Sequence, residues 1–127
     1  MTRTLLAMLI EKKEQATPEY VVILQQPMVI RHTTRDLATW LLYFLSNDDN
    51  ALSADRKAYT AIAARTAIIW GDKDSVTPLA QAHDLQELIP MSTLSILVGV
   101  GHIPQIEDPE AFNRVLVGQL VMMTKAA

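Results

Sequence analysis

The chain has 127 residues, 11 of them basic (Lys, Arg) and 14 acidic, for a formal net charge of −3, and half of them are hydrophobic. That is about the length of one average domain and an ordinary globular composition, and without a basic excess nucleic acid is excluded as a partner. The longest apolar runs, Leu5–Ile10 and Trp40–Leu45, are six residues, against the about 20 that a membrane-spanning helix needs, which argues against a membrane protein. There is no cysteine, so disulfides, thiolate zinc sites and a cysteine nucleophile are all removed. Arg3 precedes a short apolar stretch, but Glu11-Lys12-Lys13-Glu14 stands where a secretory signal would place small residues for cleavage. A reducing, cytoplasmic setting is therefore expected.

The first half reads as helices separated by proline and polar breaks. Leu5, Leu6, Leu9 and Ile10 share a helical face, and the charged Glu11–Glu14 turn follows. Thr17-Pro18-Glu19 is a helix start, with an N-cap hydroxyl, proline at the first position and an early acid. Pro27 restricts the residue before it and stops that helix near Gln25-Gln26. The clearest period lies in Thr34–Leu45, where Leu37, Trp40, Leu41, Phe44 and Leu45 form a broad apolar stripe, read as a buried core face. A loop at Ser46–Asn50 and a weaker helical stretch from about Ser53 to Ala63 complete this half.

The second half changes character. Ala67-Ile68-Ile69-Trp70 is a short apolar run closed by Gly71, which suits a strand buried on both faces. Thr77-Pro78 opens a helix that Pro90 ends, and Leu94–Val98 is a second strand closed by Gly99. Asp108-Pro109-Glu110 opens a last helix, with Phe112, Val115, Leu116, Leu120 and Met123 on its buried side. Strand, helix, strand, helix with short connections is a βαβα unit with parallel strands.

In an open parallel sheet, ligands and reactive groups collect at the carboxyl ends of the strands. Two segments follow such ends: Gly71-Asp72-Lys73-Asp74-Ser75-Val76-Thr77-Pro78 and Gly99-Val100-Gly101-His102-Ile103-Pro104. Parallel strands bring both loops to one edge, so an acid of the first can meet the histidine of the second. A carboxylate that accepts the Nδ1 proton of an imidazole fixes its tautomer and stabilises the imidazolium formed when Nε2 takes a proton. Asp74 is the preferred acid and Asp72 its rival, while the alternative makes both solvated turn residues and the Ser75–Thr77 hydroxyls caps of the next helix. His32 and His83 are read as ordinary surface or helix histidines. Glu107 and Asp108 near His102 could suggest a metal site, but Asp108 is better explained as a helix cap.

With those loops in view, Ala67–Leu120 resembles the C-terminal part of the α/β-hydrolase fold family. The resemblance rests on the turn Trp70-Gly71-x-x-Asp74 and the turn Gly99-x-Gly101-His102, which runs on into Glu107-Asp108-Pro109-Glu110-Ala111-Phe112-Asn113. It implies that Asp74 is the triad acid and His102 the general base, in the family's chain order of nucleophile, acid, histidine. It also implies an α/β fold: residues 63–127 as the C-terminal βαβα portion of the parallel sheet, preceded by a helical cap-like region at 1–62. Arg65 and Val98 stand where relatives often carry proline.

The larger departure is the nucleophile. The four glycines are Gly71, Gly99, Gly101 and Gly118, and no pair of them flanks a serine as Gly-x-Ser-x-Gly requires. No aspartate has the glycine setting of the family's aspartate-nucleophile branch either. The expectation is a hydrolase fragment that carries two of three triad members, with the nucleophile, Ser or Asp, upstream. The complete enzyme would cleave an ester or related acyl bond of a small-molecule substrate, with no cofactor or metal. The fragment itself is expected to be poorly stable or to associate, with itself or with a partner supplying the missing core, because a lone pair of strands is marginal in water. The other reading is a non-catalytic remnant or interaction module that needs such a partner.

Overall fold

A computed structural model describes residues 2–46 and 51–125, side chains excepted at 44 and 45; of the expected loop Ser46–Asn50 all but Ser46 lies outside the described residues, and the stripe positions Phe44 and Leu45 lie outside the described side chains. The helical half contains α1 (Thr2–Leu9), α2 (Pro18–Gln25), α3 (Thr33–Leu45) and α4 (Arg56–Thr60), with short 3-10 turns at Lys13–Gln15, Gln26–Val29 and Leu52–Ala54. The α2 start is the one its sequence announces. Pro18 is the first helical residue, and the Thr17 hydroxyl accepts the Tyr20 N–H at 3.4 Å. The weak stretch after Ser53 resolves into a 3-10 turn and the five-residue α4, whose start is capped by the Asp55 carboxylate accepting from the Lys57 N–H.

The second half is β1 (Thr66–Gly71), α5 (Leu79–Leu88), β2 (Ser92–Leu97), the single turn α6 (Pro104–Glu107) and α7 (Pro109–Lys125). The two strands pair in parallel, in register from Thr66 opposite Ser92 to Gly71 opposite Leu97. This is the expected βαβα portion of an α/β fold. Both strands end at the same level, so both following loops leave from one edge. Asp108 caps α7 as expected: its Oδ1 accepts the Ala111 N–H at 3.0 Å.

Buried apolar residues are found in both parts. Ile68, Ala82, Ile89, Leu97 and Val100 are buried around the sheet. Leu6, Ile10 and Ala16 form a cluster, against which Tyr20 and Val21 pack from α2 and Ile103 and Ile106 from the far side of the His102 loop. The loop that carries His102 therefore rests on α1 and α2 as well as on the sheet.

Three sequence expectations are corrected. Leu120 is exposed and Gln119 is buried in its place. The face of β2 beneath α7 presents two hydroxyls, Thr93 and Ser95, two residues apart. The Gln119 carboxamide satisfies both, accepting from Thr93 at 2.8 Å and donating to Ser95 at 3.0 Å. On α3, Leu37, Trp40 and Leu41 are exposed rather than forming a buried face, Trp40 at 55%. That helix lies against the Gln26–Val29 turn, a contact too small to cover its stripe. Ile69 and Trp70 of β1 are likewise only half-buried, because one neighbouring strand covers less than the two flanks a central strand requires.

Candidate functional site

Gly71 ends β1 and Gly99 lies in the turn that follows β2, where the chain passes over the sheet edge. Gly99 adopts a left-handed backbone, φ 70°, which glycine takes without the Cβ penalty. The loops are tied together by main-chain bonds, from Asp72 N–H to Leu97 C=O at 3.0 Å and from Lys73 N–H to Val100 C=O at 2.9 Å. The Asp72 carboxylate adds a third tie by accepting the Gly99 N–H at 2.6 Å. Asp72, the rival acid, thus serves the loop backbone.

Asp74 faces the histidine. Its Oδ2 lies 2.9 Å from His102 Nδ1, with the Asp74 side chain 5% and the His102 side chain 34% exposed. Each carboxylate oxygen has a separate task. Oδ1 accepts the N–H groups of Val76 and Thr77, both at 2.8 Å, and so builds the turn. Oδ2 accepts the Thr77 hydroxyl at 2.6 Å as well as facing the imidazole. The Thr77 hydroxyl, 3.3 Å from His102 Nδ1, thus orients the acid instead of capping α5. A carboxylate partner assigns the proton of a neutral imidazole to Nδ1, which leaves the lone pair on Nε2.

Burial pushes the Asp74 carboxyl upward, but the bonds from the Thr77 hydroxyl and amide, from His102 and from the Val76 amide outweigh it and hold the group below its ordinary value of 3.8. Asp108 is also held low, first by the Ala111 amide and then by the Lys12 ammonium at 2.9 Å. A carboxyl depressed in the folded state contributes stability that is complete above its unfolded pKa and is lost as pH falls through the folded one. Chemical unfolding followed from pH 6 to pH 2 is therefore expected to show stability falling below about pH 4. Asp74→Asn is expected to flatten part of that acid limb and leave the curve above pH 5 parallel to that of the parent.

The pair opens onto a depression of about 230 Å³ whose walls include Trp70, Gly101, Pro104, Gln105 and Phe112. Trp70 is fixed there by its indole N–H, which donates to the Thr77 C=O at 3.0 Å. A larger, more apolar hollow of about 330 Å³ lies at the opposite end, beside Arg65, Met91 and Gln119. It is lined by no acid or histidine, so the acid–imidazole pair is a feature of the carboxyl edge. Among the described residues no group of three or more His, Asp or Glu side chains is placed to hold a metal ion. Glu107 and Asp108 point their carboxylates at backbone N–H groups and at Lys12.

The hydrogen-bond partners of Glu107 were not legible in the sequence. Glu107 is buried beneath the His102 loop, where its carboxylate accepts the Gly101 N–H at 2.7 Å. Its other hydrogen bonds reach the segment after α1, and nothing in its own sequence neighbourhood points there.

Comparison with known proteins agrees with this architecture. The family model for the alpha/beta hydrolase fold matches residues 12–109, and the chain belongs to that family. It is 41% identical over 56 residues to an uncharacterized protein of Mycobacterium tuberculosis strain H37Rv, an alignment covering 44% of this chain and 16% of that protein. Among solved structures it is similar to a meta-cleavage product hydrolase (CumD) of Pseudomonas fluorescens IP01, with a TM-score of 0.76 and 23% identity, over 95% of this chain and 44% of that one. At that identity the likeness concerns the fold. It is also similar to a predicted CIB-like hydrolase of Thermoplasma acidophilum, at 35% identity and a TM-score of 0.52, over 54% of this chain and 33% of that one. The chain thus spans less than half the length of each of these relatives. Among the described residues no helix is long and apolar enough to cross a membrane.

Proposed function

We propose that this chain supplies the acid and the general base of a hydrolase triad, Asp74 and His102, to an active site whose nucleophile lies outside these 127 residues. The observation that carries the reading is the 2.9 Å contact between Asp74 Oδ2 and His102 Nδ1 at the carboxyl edge of a parallel sheet. With Nδ1 committed to the carboxylate, Nε2 takes the proton of a Ser nucleophile as it attacks an ester or related acyl carbon of a small-molecule substrate, and gives that proton to the leaving group as the acyl bond breaks. In the second half-reaction it activates the water that releases the acid. With an Asp nucleophile the first proton transfer drops out and His102 serves only the water. Residues 1–62 act as a cap over that site, and the exposed face of α3 forms part of its wall.

A second reading, a non-catalytic module completed by a partner, is favoured by the apolar surface left open on α2 and α3, where Val22, Ile23, Leu37, Trp40 and Leu41 are exposed. Both readings require further polypeptide against the free edge of the sheet. Co-expression with the nucleophile-bearing N-terminal half of a related hydrolase separates them. The catalytic reading expects a complex that hydrolyses p-nitrophenyl acetate and loses that activity with His102→Ala. A complex that assembles but has no His102-dependent turnover contradicts it and favours the module.

A further inference from the structure

Glu107 is 2% exposed, and no step above gives its carboxylate a task. Its Oε1 accepts the Gly101 N–H at 2.7 Å, one residue before His102, while its Oε2 accepts the N–H groups of Glu11 at 2.8 Å and Lys12 at 3.0 Å. The Lys12 ammonium is engaged elsewhere, on Asp108, so Glu107 is committed to main chain. Next to it, the His102 N–H donates to the Leu9 C=O at 2.9 Å. Gly101 leaves the room for this approach: a Cβ there would lie 2.8 Å from Glu107 Oε1 and 2.8 Å from the Glu11 nitrogen. The His102 loop is thus fastened on one side to Asp72 and Asp74, and on the other to the end of α1.

We propose that Glu107 is a positioning residue, whose buried carboxylate locks the His102 loop onto Leu9–Lys12 and makes the alignment of His102 with Asp74 depend on that segment. The inference rests on the reading of His102 as general base. Both carboxylate oxygens are required, because a carboxamide has a single acceptor oxygen and would aim its NH2 at one of the backbone donors. Displacing Gly101 moves the adjacent His102 against an acid that its own turn holds fixed.

The test uses the full chain and two variants that reach the same lock from opposite ends. Glu107→Gln removes one acceptor. Lys12→Pro removes one donor at a position whose φ of −77° already suits proline, and Lys12→Ala is its control, lacking the ammonium but keeping the N–H. Amide hydrogen exchange at Gly101 and the downfield Nδ1 proton resonance of His102 are recorded for each. Glu107→Gln is expected to speed exchange at Gly101 by about tenfold or more and to shift or broaden the His102 resonance. Lys12→Pro is expected to do both to a smaller degree, and Lys12→Ala neither. Variants that lose overall stability while the His102 resonance stays as in the parent overturn the proposal and reduce Glu107 to a structural group. If Glu107→Gln does not fold, Lys12→Pro against Lys12→Ala decides in the same way. A parent chain with a protected Gly101 amide but no Asp74-dependent His102 resonance overturns the base assignment, and this inference with it.

Discussion

Asp74→Asn is expected to lower kcat for ester hydrolysis on the order of ten-thousand-fold in the assembled hydrolase, with KM little changed. The division of labour between the two carboxylate oxygens explains why the loss falls on chemistry. An asparagine can keep its oxygen at the Oδ1 position, where it still accepts the Val76 and Thr77 amides that form the turn. Its NH2 then occupies the Oδ2 position and presents a donor to His102 Nδ1. The imidazole answers by moving its proton to Nε2, the wrong nitrogen for a base. The turn survives and the tautomer does not. Steady-state kinetics on p-nitrophenyl acetate checks this, and a loss under about tenfold would mean that Asp74 does not orient the base.

Gly71→Ala is expected to destabilise the chain on the order of 3 kcal/mol, the largest stability effect of a single methyl group anticipated here. Gly71 ends β1 where the two loops cross. A Cβ there would fall inside contact distance of the backbone oxygens of Val100 and Gly101, and 2.7 Å from the Val100 carbonyl carbon. All three are main-chain atoms of the loop that carries His102, so no side-chain rotation relieves the overlap. Either the loop moves or the strand end does. By contrast, a Cβ at Gly118 on α7 meets nothing within 4 Å, and Gly118→Ala is the matched control, neutral or slightly stabilising because alanine favours the helix. Thermal unfolding reads both, with a fall of roughly 10 °C expected for Gly71→Ala. Equal melting of the two variants would contradict the packing described at the loop crossing.

The sequence showed the site through local features that report on local structure. Trp70-Gly71-x-x-Asp74 and Gly99-x-Gly101-His102 each follow a short apolar run, and parallel pairing of those runs necessarily places both loops on one edge. Choosing Asp74 over Asp72 needed the motif, since spacing alone left both within reach. The structure separates them by giving Asp72 to the Gly99 amide. What Glu107 binds was beyond reach for the opposite reason. Two of its partners are backbone amides 96 and 95 residues away in the chain, and amide donors leave no residue-type signal.

The same distinction accounts for the corrected burial pattern. Periodicity reports that a helix has an apolar face but not whether anything covers it. The stripe of α3 has the right spacing, yet Leu37, Trp40 and Leu41 remain exposed. Counting apolar residues alone also selected Leu120. The hydroxyls of Thr93 and Ser95 make an amide the better-matched neighbour, and Gln119 takes the place. Polar matching between a sheet face and a helix is a tertiary property that one-dimensional patterns miss.

The central claim is that Asp74 and His102 form a working acid–base pair, and nitrogen-15 NMR of the His102 side chain in the parent chain and in Asp74→Asn tests it most directly. The account predicts that the neutral form of the imidazole carries its proton on Nδ1 in the parent and on Nε2 in the variant. The same tautomer in both, or free exchange between the two in the parent, would contradict it.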